Sequence, residues 1–240
     1  MTPLAGDTRA WRPAFVVVSL RLSDSETRQR ICHQIRRQIT QQRGQIAGQR
    51  FCDLLRKPHQ EFVEKSTAHA RAHTSLVADS TCTGTSSAQG FQTGTEAELD
   101  ALFAVHFKGV FLLSQKLLPL INDGGRIVNL SSALAQRAMA NRAIYGSMKA
   151  AVETLTKYMA FELAPRRIAV NVVAPGAVAT DFSGGMVRDN PEVNKLVASH
   201  TALGRAGVPD DIGPMIASLL SEDNRWVNGQ RIEVSGGFLG

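Results

Sequence analysis

Cysteine is scarce in this chain. Cys32, Cys52 and Cys82 are the whole supply, and no two lie close together, which argues against a disulfide framework and against a zinc ribbon. No metal site is expected. No uninterrupted apolar run reaches the roughly 18 residues that cross a bilayer. Neither a signal segment nor a membrane anchor is evident, so the cytoplasm is the default compartment and no membrane partner is expected. Aromatic residues make up only 6% and do not interleave with the basic ones, so nucleic acid is not an expected partner either. The rest is ordinary for a globular protein. The 240 residues are 43% hydrophobic and 20% charged, enough for one large domain with a sizeable core.

Acidic residues run short in one region only. Residues 1–90 hold 13 Lys and Arg against 7 Asp and Glu, a balance of +6, whereas residues 91–240 hold 14 of each. The net charge of +6 therefore belongs to the first part. All three cysteines and nine glutamines fall there as well, but only five of the twenty glycines. Composition thus separates an atypical basic segment, 1–90, from a neutral segment, 91–240.

The neutral segment alternates helix and strand. Thr95 with Glu98 forms a capping box, and Leu99, Leu102, Phe103, Phe107, Val110 and Phe111 follow at helical spacing to about Leu120. Asn122 to Gly125 stop that helix. Arg126–Ser131 is a short strand, Ala143–Leu163 a helix ended by Pro165, and Ile168–Ala174 a second strand closed by Pro175 and Gly176. Pro209 opens a helix to about Ser221, and Arg231–Val234 is a last strand. Such alternation predicts an α/β fold: a doubly wound parallel sheet, with functional groups after the carboxyl ends of its strands. Ser131 and Ser132 follow one strand, and Pro175 to Thr180 follow the next.

Tyr145 and Lys149 stand four apart in YGSMK. On a helix this is a rise of about 6 Å with roughly 40° of rotation, so both side chains leave one face. An ammonium about 5 Å from a phenol favours the phenolate by roughly 3 kcal/mol at an effective dielectric near 20, or about two pKa units. Such a tyrosine could work as a general acid or base closer to neutrality. By itself the pair is better read as a surface contact between residues one turn apart.

The surrounding motifs change that. GGRIVNLSS (124–132), YGSMK (145–149) with Ser132 thirteen positions before the tyrosine, NVVAPGAVATDF (171–182), GRAGVPDDI (204–212) and NGQRIEVSGG (228–237) follow in order. From about Thr95 onward the chain resembles the short-chain dehydrogenase/reductase family. The resemblance implies a Rossmann-like fold and an oxidoreductase using NAD or NADP to interconvert a ketone, perhaps of the 3-oxoacyl type, and a secondary alcohol. It implies that Tyr145 exchanges a proton with the substrate oxygen, that Lys149 binds the nicotinamide ribose, and that Ser132 hydrogen-bonds the substrate carbonyl. Pro175, Gly176, Val178 and Thr180 would line the cofactor, while Ser131 is structural. His106 stands where the family usually has an asparagine that kinks the helix and holds a relay water; histidine can also donate, accept and bridge through water. Residues 182–203 correspond to the family's substrate loop. The helices at 96–120 and 144–163 correspond to its oligomer interface, so a homodimer or homotetramer is expected.

The first ninety residues lack what the family should show there. Ala14–Leu20 resembles a first strand but runs into a helix-like stretch, 26–42, without glycine, and no TGxxxGxG turn follows. Gly44 and Gly48 have one matching spacing only. No NNAG turn is present; Ser80 to Gly84 fall near its place, with Gly84 alone agreeing. Three accounts stay open: divergent first βαβ units with an altered cofactor site, a segment translated out of frame, or a fused basic module. The alternative to an active enzyme is accordingly an impaired or inactive chain that serves at most as an oligomerisation partner.

Overall fold

A computed structural model describes residues 75–78 and 89–239. The expectations for Ala14–Leu20, for the 26–42 helix, for Gly44 and Gly48 and for Ser80 to Gly84 lie outside the described residues. Within them, four strands form one parallel sheet in the order β1 (Ser75–Ala78), β2 (Arg126–Leu130), β3 (Ala169–Pro175) and β4 (Arg231–Val234). The register pairs Ala78 with Asn129, Leu130 with Val173 and Pro175 with Val234, so the carboxyl ends share one edge. Strand β1 (SLVA) was not anticipated: four residues flanked by polar ones show too little alternation to announce a strand. It lies within 1–90 and joins the same sheet as the rest.

The helices follow the expected punctuation. Thr95 caps α1 (Glu96–Phe103), its hydroxyl accepting the Glu98 N–H at 3.2 Å. One turn of π-helix, Ala104–Lys108, links α1 to α2 (Gly109–Leu117). The long helix α3 (Ala143–Glu162) ends before Pro165, which lies in a 3-10 turn, Ala164–Arg166. The segment after β3 folds into short pieces, α4 (Met186–Asp189) and α5 (Pro191–Ser199), and Pro209 opens α6 (Pro209–Leu219).

Alternation along the strands sorts the core into two faces. Ile127 and Val170 pack with Leu117, Ile121, Ala160 and Ile168, beneath α2 and α3. Val128, Leu130 and Val173 pack with Leu219 and Leu220 at the end of α6 on the opposite face. Val110 and Val152 bind α2 to α3. Within the helical stretch Glu96–Leu120, 25 residues long, an 18-residue segment averages 1.3 in hydropathy, long and apolar enough by length and composition alone to cross a membrane. It is not an uninterrupted apolar run, because His106, Lys108 and Lys116 break it without removing the apolar character.

Candidate active site at the carboxyl edge

The described part of the site is assembled where β2 and β3 end. Tyr145 and Lys149 project together from the first turns of α3, and both are buried. The Lys149 ammonium lies 5.8 Å from the centre of the Tyr145 ring and donates to the Leu130 carbonyl at 3.0 Å. That carbonyl is the last of β2, so the strand end itself orients the cation. A fixed ammonium beside the ring favours the phenolate over the phenol.

Ser132 follows β2 immediately. It is the N-cap of a 3-10 turn, Ala133–Ala135, and its hydroxyl accepts the Leu134 N–H at 3.2 Å. Ser132 thus serves the fold as a cap at the strand edge. That same turn approaches α3 closely, since a Cβ on Gly146 would stand 2.7 Å from the Leu134 carbonyl oxygen.

His106 sits in the π turn, fully buried, with its ring perpendicular to that of Tyr145 at 5.2 Å between centres. A π turn inserts an extra residue and rotates the side chains around it, a distortion common at functional sites. Here it turns His106 from α1–α2 toward α3. The structure thus brings His106, Tyr145 and Lys149 together.

After β3, Gly176 donates to the Val234 carbonyl at 3.1 Å, and a Cβ there would meet Ser235 at 2.8 Å. Val178 is held by a parallel bridge to Gly207, and Thr180 accepts the Phe182 N–H at 3.2 Å. Pro175 to Thr180 therefore form an ordered ledge past the end of β3 that leads to Phe182. Phe182 was overlooked as a site residue. Its ring centre lies 6.0 Å from that of Tyr145, placed there by a loop with left-handed Ser183, Gly184 and Gly185 (φ 52°, 73° and 80°). Gly184 and Gly185 hint at such a turn in the sequence; the ring's direction does not show there.

A second group was overlooked, on the side of α3 facing β2. The Glu153 carboxylate accepts from Ser131 Oγ at 2.8 Å, Gln136 Nε2 at 3.0 Å and Arg231 Nε at 2.7 Å. Arg231 also pairs with Glu233 at 2.9 Å, and Glu233 takes Arg137 and the Ser235 hydroxyl. Burial works against the Glu233 carboxylate, but hydrogen bonds from Ser235, Arg231 and Arg137 outweigh it and hold it below the usual range. Among the described residues, no three His, Cys, Asp or Glu side chains gather as a metal-binding group.

A parallel sheet with helices on both faces and polar groups gathered past its carboxyl ends defines a doubly wound α/β protein, the class that places ligands at this edge. A family model described as enoyl-(acyl carrier protein) reductase matches residues 36–239. An uncharacterised oxidoreductase of Methylorubrum extorquens is 39% identical over 143 residues, covering 60% of this chain and 58% of that one. Tetrahydroxynaphthalene reductase of Pyricularia oryzae is 34% identical over 154 residues, covering 60% and 54%. Among solved structures, the angucycline C-6 ketoreductase LanV with bound NADP superposes with a TM-score of 0.62 at 34% identity, covering 69% of this chain and 62% of that one. The chain belongs to the short-chain dehydrogenase/reductase family. It spans less than two thirds of the length of these relatives.

Proposed function

We propose that the chain is an NAD(P)-dependent oxidoreductase interconverting a ketone and a secondary alcohol, with Tyr145 as the general acid and base. The observation that supports this most is the buried Lys149 ammonium 5.8 Å from the Tyr145 ring. The donor set at the carboxyl edge fits the nicotinamide riboside: an ammonium, a phenol and a backbone ledge past β3, Pro175 to Thr180. The glycine-rich turn that would meet the pyrophosphate is missing from the sequence of residues 1–90.

When bound, the nicotinamide supplies or accepts the hydride at the carbonyl carbon. Ser132 donates to the substrate oxygen and fixes its position. Tyr145 gives that oxygen a proton during reduction and takes one back during oxidation, so that the alcohol O–H bond forms or breaks as the C–H bond does. Lys149 stabilises the phenolate and offers N–H donors to the ribose hydroxyls. His106, edge-on to Tyr145, relays the proton toward solvent in place of the family's asparagine. Pro175, Gly176, Val178 and Thr180 line the cofactor.

The relatives named for reducing a tetrahydroxynaphthalene and an angucycline support a carbocyclic ketone as substrate, with the Phe182 ring as its resting surface. A 3-oxoacyl thioester is the second class to test. The exposed Leu99, Phe103 and Phe111 on α1 and α2, with Tyr158 and Phe161 on α3, support assembly as a homodimer or homotetramer. They equally suit the alternative, a chain that pairs through these helices without turning over substrate.

Titrating the full chain with NADPH and NADH decides between the two. Fluorescence change at micromolar to millimolar cofactor supports the enzyme, and none at either cofactor refutes it. Where cofactor binds, Tyr145→Phe lowers turnover at least about a hundredfold with binding nearly intact; retained turnover refutes the role of Tyr145.

A further inference from the structure

Strand β2 and helix α3 are joined by a seam of polar contacts at matched spacing. Ile127, Asn129 and Ser131 alternate onto the face of β2 that meets α3. Asn129 Nδ2 donates to Thr156 Oγ1 at 2.9 Å, and Ser131 Oγ lies 2.8 Å from Glu153 Oε1 and 3.2 Å from the Lys149 carbonyl oxygen. Two residues of strand advance about 6.6 Å, and one turn of helix about 5.4 Å. Successive strand positions therefore meet successive turns of the helix, and the seam leads to Lys149.

Glu153 is the centre of its upper end. Ser131 precedes Ser132, and Gln136 follows it by four residues, so two donors that bracket the catalytic serine meet on one carboxylate. Arg231 Nε, from β4, holds that carboxylate from the other side at 2.7 Å. The Arg231 guanidinium goes on to Glu233, and Glu233 takes Arg137. Two carboxylates and two guanidiniums balance in charge, so this chain of ions is neutral as a whole.

We propose that Glu153 is a positioning residue, which clamps the end of β2 and the turn after Ser132 onto α3 and thereby sets Ser132 and the Lys149 ammonium relative to Tyr145. The inference rests on the reading of Tyr145 and Lys149 given above. Its mechanical logic is that Leu130 O, the acceptor for Lys149 Nζ, adjoins Ser131. Loosening Ser131 from Glu153 frees the strand end, and with it the acceptor that aims the ammonium. The Glu153 carboxylate is tied to Ser131, Gln136 and Arg231, and through Ser131 to the strand end that aims Lys149.

The chain holds only two tyrosines, Tyr145 and Tyr158. In the full-length Tyr158→Phe protein, the ultraviolet difference spectrum of phenolate formation therefore reports Tyr145 alone, with no cofactor or turnover needed. In that background Ser131→Ala with Gln136→Ala removes both brackets without changing charge. The titration midpoint is expected to rise by about half a pH unit or more, as the ammonium loses its fixed position. Glu153→Gln keeps one oxygen that Ser131 and Arg231 can share, and Gln136 can turn its amide to meet the new NH2. That variant is expected to leave the midpoint unchanged or lower it slightly through the lost negative charge. Lys149→Met is expected to raise it by about two pH units.

An unchanged midpoint in the Ser131→Ala, Gln136→Ala protein, alongside the rise in Lys149→Met, overturns the positioning role and leaves the Tyr–Lys reading standing. No rise in Lys149→Met overturns both. If the double variant fails to fold by circular dichroism, Ser131→Ala and Gln136→Ala are titrated singly, with the same sign expected and the same result fatal.

Discussion

At the residue scale the site depends on close approaches that particular side chains permit. Gly176 is the clearest. A Cβ there would meet the Ser235 Cα, Cβ and carbonyl oxygen at 2.8 to 2.9 Å, and two of the three are backbone atoms that move only with β4. Gly176→Ala is expected to lower unfolding free energy by about 1–3 kcal/mol, read from the denaturant midpoint, with weakened cofactor binding alongside. An unchanged midpoint would show that β3 and β4 separate without cost. Tyr145 and Lys149 were legible in the sequence because helix geometry alone places positions four apart on one face. Phe182 was not, since its ring reaches Tyr145 only through the left-handed run that follows it.

At the element scale, the π turn is what brings the α1–α2 helix into the site. His106 is buried against Tyr145 by that turn. His106→Asn retains a donor and an acceptor at the same place, and is expected to keep turnover within about tenfold; His106→Leu fills the space without either, and is expected to lose about a hundredfold. Equal rates in the two variants would remove His106 from the relay. The start of α6 supplies a second test. Asp211 takes two hydrogen bonds from Arg205 and one from the Val208 N–H, which lower its pKa from 3.8 to about 2. A carboxylate with a depressed folded pKa contributes its stability above the ordinary value and loses it as pH falls toward the folded one. The stability difference between the parent and Asp211→Asn should therefore be full above about pH 4 and vanish near pH 2. A difference that persists below pH 2 would place the effect elsewhere.

At the scale of the whole molecule, apolar side chains left exposed on α1, α2 and α3 are a candidate self-association surface. Phe161 is 82% exposed and Tyr158 63%, on a helix whose opposite side builds the site. Replacing both Phe103 and Phe161 with Glu is expected to convert an oligomer to monomers in sedimentation velocity, with the circular dichroism of the parent. An oligomer that survives both charges would move the interface elsewhere.

The sequence by itself determined the strands β2, β3 and β4, the span of α3 and the Tyr145–Lys149 face. Each follows from local rules: alternation, proline and glycine punctuation, and the pitch of a helix. It also located the change of character near residue 90, because composition needs no fold. Only the tertiary structure decided that Ser75–Ala78 is a strand, since a four-residue segment becomes one by pairing with β2. It likewise decided that Glu153 gathers donors from β2, from the turn after Ser132 and from β4. Those partners lie 17 to 78 residues away, and no local periodicity relates positions so far apart.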